Sequence, residues 1–324
     1  MSKNGLPRKP LTKRRLKNLI LNVLKNPFNM VVLVSLIILF CLIIIPLLTM
    51  ISSTFTLAQG ELRRVQGHVG DFTLYYWKYI LTGKLASAVL WGPLKNSFIC
   101  GFFTVLVSVP LGSVLAWLMI RTDLPGKKIL GLLVTVPYMI PSWTKALAWL
   151  AMFRNSTSGA NGFLAGLGIP VPDWLAYGPI AIVLCMSMHY YAFSYIMVSG
   201  ALRSINSELE EMGEIQGASK AQILRHITLP LILPSVLSAT VMTISKSIGT
   251  YGVPANLGNR IGYYTLATKM RTFIDQGPQA VGYAMSIVLV LLAALIIFSN
   301  QRIVGVRKSY ATVSGKGGQQ HQYD

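Results

Sequence analysis

Acidic residues are scarce in this chain. Its 324 residues include 10 Asp or Glu against 29 Lys or Arg, a formal net charge of +19, and charged residues make up only 12% of the total. Hydrophobic residues reach 53%, and the mean hydropathy is +0.55. This composition argues against a water-soluble domain and is typical of a protein that lives in a bilayer. The basic residues crowd the two ends and the short loops, which predicts membrane lipids rather than nucleic acid as the partner of the positive charge.

Several catalytic and nucleotide-binding motifs are also missing from the sequence. There is no Gly, four residues, Gly-Lys-Ser/Thr pattern, so the chain lacks a phosphate-binding loop of its own. There is also no HExxH, Gly-x-Ser-x-Gly or Cys-x-x-Cys pattern, so protease, hydrolase and redox functions have no supporting residues. The three cysteines, Cys41, Cys100 and Cys185, lie in apolar runs without metal-ligand spacing and are expected to be packing residues. We therefore predict a non-catalytic subunit without a metal or cofactor of its own.

Six apolar runs predict an all-α membrane domain over residues 29–303. The runs cover about 30–50, 96–120, 129–153, 177–200, 231–251 and 282–302. Each run is long enough to cross a bilayer as a helix. The first run has no small-residue cleavage site, which favours a retained helix over a signal peptide. Pro137 and Pro141 should kink or break the third helix.

Charge distribution predicts the orientation of these helices. Residues 1–28 carry eight basic residues and no acid, and residues 304–324 form a basic, Gly/Gln-rich tail that is predicted to be disordered. With six spans, 18 of the 29 basic residues fall on the side that carries both termini. That side is expected to be the cytoplasm, facing anionic lipids at the bacterial inner membrane.

A polar loop at 204–234 interrupts the apolar runs. Ser207 with Glu210, and Ser219 with Gln222, form two capping-box patterns, so two short helices are predicted. Gly217 lies between them and can take the positive φ that ends the first helix. Pro230 and Pro234 are expected to close the second helix.

The same loop carries a pattern shared with a known family. The matching residues are Glu211, Gly217, Ile227, Leu229 and Pro230. Their spacing resembles the EAA loop in permease subunits of binding-protein-dependent type I ABC importers. Met212 and Gly213 stand where that loop usually has two alanines. The resemblance implies a six-helix permease fold in which this loop is the helix that couples to an ATPase subunit.

The resemblance also implies roles and partners. Glu211 would face a basic residue of the ATPase, with Ala218 and Ser219 near the contact. The partners would be two ATP-binding cassette subunits carrying ATP and Mg, a second permease subunit, and an extracytoplasmic substrate-binding protein. A homologous second permease is favoured over an identical one, and both alternatives stay open. The stretches 189–200 and 249–258 look most like permeases of ferric-iron, sugar-phosphate and aminophosphonate importers, and less like polyamine permeases.

Polar residues inside the predicted helices are the candidates for a substrate pathway. They are Lys145, His189, Tyr190, Tyr195, Lys246 and Tyr251. Lys145 lies about nine residues, roughly 13 Å, into its helix, whereas Lys246 lies only about five residues, roughly 8 Å, from an end and could snorkel. Tyrosines in such helices are more often packing residues with satisfied hydroxyls than ligand contacts.

The predicted helices contain two lysines and no acid, which favours an anionic or chelated substrate. A polyamine importer permease is an alternative, because a partner permease could supply the missing carboxylates. An ion-coupled secondary transporter needs carboxylates or broken-helix ion sites and is disfavoured. A membrane scaffold would have no need of the glycine-hinged loop.

Overall fold

The computed structural model describes residues 27–61, 65–205 and 208–311. Within these ranges, only the backbone is described for 158, 300 and 303–311. The described part is helical, with one isolated bridge between Thr56 and Phe72. The helices are α1 (Pro27–Ser53), α2 (Tyr75–Leu81), α3 (Gly92–Arg121), α4 (Lys127–Met139), α5 (Ser142–Phe153), α6 (Pro179–Ser204), α7 (Glu208–Ile215), α8 (Lys220–Ile223), α9 (Leu229–Gly249), α10 (Gly252–Leu257), α11 (Leu266–Gln276) and α12 (Gln279–Ala311), beside two single-turn helices, Phe163–Gly166 and Asp173–Ala176.

Five helical segments in the described part are long and apolar enough to cross a membrane. They are Pro27–Ser53, Ser87–Arg121, Asp173–Ser204, Lys220–Gly249 and Gln279–Ser299. They correspond to the first, second, fourth, fifth and sixth predicted spans. The helical membrane fold is thus confirmed, while the count of six stays a prediction because the remaining segment is divided.

The third predicted span is two helices, α4 and α5, separated at Ile140 and Pro141. Ile140 is extended, with φ −78° and ψ 129°, the conformation that a residue before proline prefers. Helices of 13 and 12 residues reach only about 20 and 18 Å, each short of a bilayer core of about 30 Å. Pro137 stays inside α4, so the break that the sequence predicts occurs at Pro141.

The core of the bundle is the contact between α3 and α6. At Gly112 of α3 a Cβ atom would collide with the Tyr191 carbonyl and approach Ser194 Cβ at 2.8 Å. Small residues permit this approach on both helices, and they include Ser108 and Ser194, both buried. Because apolar surface has little drive to associate within lipid, close packing of small residues is what stabilises such a contact.

The two ends of the chain differ in how far the helices reach. The last helix continues to Ala311, past position 304, where the C-terminal tail is predicted to begin, and the disorder of that tail stays a prediction. The basic tail at 1–26 and the remainder of the C-terminal tail, 312–324, lie outside the described residues. Helix α1 has no buried residue in this single chain. Its apolar surface is therefore available for lipid or for another subunit.

Candidate functional site

Gly217 is the hinge of the polar loop, between α7 and α8. Its φ is +82°, as the sequence predicts. The N–H of Gly217 donates to the Glu214 carbonyl at 2.9 Å, and the N–H of Ala218 donates to the Gly213 carbonyl at 3.0 Å. A Cβ at 217 would meet no atom within 4 Å, so backbone conformation and not crowding makes glycine the fitting residue.

Ser219 starts α8 with the predicted capping box. The Gln222 N–H donates to its hydroxyl, and the Gln222 side-chain oxygen accepts from the Ser219 N–H at 2.7 Å. Ser207, which starts the other predicted box, lies outside the described residues.

The expectation that prolines close the second helix is wrong. A wide π-helical turn, Leu224–Thr228, joins α8 directly to α9, and Pro230 lies in the first turn of α9. A residue without an N–H is tolerated there. Leu229 and Pro230 are both exposed at this junction. Helix α8 is therefore continuous with a spanning helix, which the sequence pattern did not indicate.

Glu210 is the acid that connects the polar loop to the bundle. The sequence predicted it only as the partner of Ser207 in a capping box. Its Oε2 lies 3.0 Å from Arg121 Nε at the end of α3, and its Oε1 accepts from the Thr228 hydroxyl at 2.7 Å. The Arg121 N–H does not point along the Glu210 contact, so this is an ion pair rather than a linear hydrogen bond. Arg121 also donates to the Leu202 carbonyl of α6 at 3.2 Å. We call Arg121, Glu210 and Thr228 the brace.

Glu211 points away from the chain. It is exposed and has no ion pair among the described residues. Ser219 is exposed and Ala218 is half-buried beside it. The exposed charge and the turn thus lie where another protein can contact them.

A groove of about 420 Å³ opens at the hinge. Its lining consists of Gly213, Gln216, Gly217, Ala218, Gln222, Ile223, His226 and Ile227. A Cβ at Gly213 would come within 3.2 Å of both Ile223 and Ile227. The absence of alanine at this position therefore lets the half-buried Ile227 pack closely against α7.

Four of the pathway candidates lie in or beside one cluster of aromatic and basic side chains. Lys145 Nζ on α5 lies 2.7 Å from His189 Nδ1 on α6. The His189 ring stacks on Tyr138 of α4, with centroids 5.2 Å apart. Residues on both sides of the helix break, Tyr138 and Lys145, therefore contact the imidazole.

Lys246 enters the same cluster from α9. Its Nζ lies 3.0 Å from the Tyr138 hydroxyl and 4.4 Å from the centroid of the Phe193 ring. Tyr190 is adjacent, and its hydroxyl bonds to Thr250 at 2.7 Å. Lys246 therefore contacts neighbouring helices and is not simply extended toward the end of its own helix.

Two candidates lie elsewhere, and two members of the cluster were missed. Tyr195 is buried in a separate apolar group with Ala116, Val198, Leu202 and Ile232. Tyr251 is exposed at the start of α10. Tyr138 and Phe193 carry no sequence signal of their own, since an aromatic residue in an apolar run is ordinary; only the packing of α4 and α6 brings them to the lysines.

The spanning helices define a multi-pass membrane protein. Among the described residues, no group of His, Cys, Asp and Glu could hold a metal ion. Residues 108–309 match the family described as binding-protein-dependent transport system inner membrane component, and the chain belongs to that family. The resemblance carried by the polar loop is thereby confirmed.

Several relatives are named for anion transport. The sulfate transport system permease CysT of Salmonella typhimurium is 25% identical over 71% of this chain and 83% of its own length. The PhnV protein of the same organism, named for 2-aminoethylphosphonate transport, is 28% identical over 72% of this chain and 80% of its own length. A sulfate permease homologue of Marchantia polymorpha is 27% identical, with the match covering 54% of this chain and 59% of that protein.

A solved structure supports the fold. A chain of the bacterial alginate ABC transporter, crystallised in complex with an alginate pentasaccharide-bound periplasmic protein, superposes with a TM-score of 0.64. The superposition covers 91% of this chain and 98% of that one at 18% identity. At this identity the likeness concerns the fold alone.

Proposed function

We propose that the chain forms half of the translocation pathway of an ATP-driven importer. The observation that carries the proposal is the polar loop. Gly217 at positive φ joins α7, which carries an exposed Glu211 without an ion pair among the described residues, to the capped start of α8, and α8 is continuous with α9. In the proposed assembly this loop docks on an ATP-binding cassette subunit, and a second permease, homologous rather than identical, completes the pore.

The proposed topology has six spans, with α4 and α5 together forming the third. Both termini and the polar loop then lie in the cytoplasm, where ATP is available, and the loop between α5 and α6 faces a substrate-binding protein outside. The excess of basic residues in the terminal and short loops supports this orientation.

An anionic or chelated solute is the proposed substrate. The relatives named for sulfate and aminoethylphosphonate transport support this class, as do the two lysines of the cluster. The five described spanning segments contain a single acid, Asp173, at an end, where Asn155 and Thr157 bind it. A polyamine or an ion-coupled carrier would need carboxylates deeper in the bundle.

Energy would reach the pathway through the brace. When the ATPases close, they move the loop, and Arg121 and Thr228 join α7 to α3 and α9. A packed bundle responds to such a push by shifting whole helices, which is the basis of alternating access.

The proposal is tested by Gly217→Val and Glu211→Ala. Valine at positive φ costs roughly 1–2 kcal/mol and should displace α8, and loss of Glu211 removes the exposed charge from the docking surface. Both variants should lose ATPase subunits in a pull-down and lose ATP-driven uptake, with normal membrane insertion. The matched control is Gly159→Val, which has a φ of +78° and the same open surroundings but lies in the proposed outer loop. Wild-type retention and uptake in both loop variants would refute the coupling role.

A further inference from the structure

Two ammonium groups approach one stacked pair of rings. Lys145 contacts the imidazole of His189, and Lys246 contacts the hydroxyl of Tyr138. The two contacts are joined through the stacked rings of His189 and Tyr138, whose centroids lie 5.2 Å apart. Neither lysine has an acidic partner among the described residues.

This arrangement is costly for the chain by itself. Lysine charges are expensive within the hydrocarbon region, and like charges that share a site repel each other. The groups that hold them are a neutral hydroxyl, an imidazole and the Phe193 ring, so nothing described here offsets the charge. Two positive charges that four helices bring together without a counter-ion are suited to a ligand that carries negative charge.

Space for such a ligand adjoins Lys145. A cavity of about 520 Å³ is lined by Pro137, Lys145, Ala148, Trp149, Met152, Phe153, Cys185 and Met188. Lys145 is its only charged lining residue, and the cavity leaves room for a small anion beside the ammonium group. On the other side of the ring pair, Lys246 is exposed, and the Tyr138 oxygen that accepts from it retains an O–H to donate.

We propose that Lys145, Lys246, Tyr138 and His189 form one intramembrane binding site for a divalent oxyanion, or for the oxyanion head of a larger solute. This proposal rests on the proposed function. It assigns to the translocation pathway a specific site in which the two lysines act together. Lys145 donates to a tetrahedral anion in the cavity, and Lys246, beyond the ring pair, supplies the second positive charge that balances a divalent anion. The site should therefore prefer sulfate or a phosphonate over chloride.

Binding is measured on the full-length chain in phosphatidylcholine nanodiscs, by calorimetric titration with sodium sulfate at constant ionic strength. Lys145→Met should weaken sulfate binding roughly ten- to hundredfold, the effect expected for losing a charged hydrogen-bond donor. Lys246→Met should weaken it by a smaller factor, because it removes only the second, balancing charge. Lys145→Arg should retain most of the affinity. The matched control is Lys269→Met, because Lys269 also lies over an aromatic ring, 4.5 Å from the Tyr264 centroid, but outside the cluster.

The possible outcomes separate this site from its competitors. Unchanged sulfate affinity in the double methionine variant, or equal affinity for chloride, would overturn it. A lipid phosphate is another ligand that carries negative charge. If sulfate does not bind while phosphatidylglycerol co-purifies with the wild type and not with the double variant, the lysines hold a lipid phosphate and the proposal is wrong.

Uptake by the assembled importer distinguishes this inference from the proposed function. ATP-driven uptake that Glu211→Ala abolishes, but that both lysine variants leave at wild-type levels, would refute the site alone. Uptake that does not depend on ATP, or on Glu211 and Gly217, would refute the coupling proposal. Loss of uptake in the lysine variants with normal ATPase retention supports both.

Discussion

Replacing Glu210 with alanine should destabilise the chain, because it removes the centre of the brace. Arg121 and Glu210 each expose only 18% of their side chains, and Thr228 is 2% exposed. Among the described residues, the variant leaves Arg121 with the Leu202 carbonyl as its one polar partner, and it removes the acceptor of the Thr228 hydroxyl. Loss of a hydrogen bond to a charged group costs about 1.5–3 kcal/mol. A fully buried ion pair would cost about 3–5 kcal/mol, so with partial exposure we expect about 2 kcal/mol.

The assay is thermal unfolding of the purified full-length chain in one detergent. Glu211→Ala is the matched control, since this neighbouring glutamate is exposed on the same helix and unpaired among the described residues. Glu210→Ala should lower the melting temperature, and Glu211→Ala should leave it unchanged while weakening ATPase retention. The exchanged pair Arg121→Glu with Glu210→Arg should recover part of the stability. A melting temperature for Glu210→Ala equal to that of the wild type would refute the brace.

Two further predictions concern topology and packing. In sealed cells a membrane-impermeant thiol reagent should label Ser156→Cys, at an exposed site between α5 and α6. The same reagent should not reach Lys220→Cys. Labelling at position 220 from outside would reverse the proposed orientation. Gly112→Ala should destabilise the bundle by about 1–3 kcal/mol in thermal unfolding, because the added methyl meets the α6 backbone. Gly200→Ala, on a helical site with no atom within 4 Å, should be neutral or slightly stabilising, and equal effects at the two glycines would contradict the close α3–α6 contact.

Local features of the chain could be predicted from the sequence alone. Long uncharged runs specify spanning helices because lipid leaves a backbone no other way to satisfy its hydrogen bonds. Pro141 specified the helix break, Gly217 the positive φ and Ser219 the helix start, because each depends on the conformational limits of one residue and its neighbours. The family resemblance likewise depended on spacing within a single loop.

The tertiary structure decided which side chains meet. Sequence patterns single out both adjacent glutamates, Glu210 for a capping box and Glu211 for the family pattern, but they do not show which one the bundle binds. Glu210 contacts Arg121 at the end of α3, whereas Glu211 is exposed and has no ion pair among the described residues. Lys145 and Lys246 lie on different helices, far apart in the chain, and the packing of α4 and α6 places Tyr138 and His189 between them. Such contacts depend on the register and rotation of packed helices. A run of apolar residues does not encode these, because every face of a spanning helix can be hydrophobic.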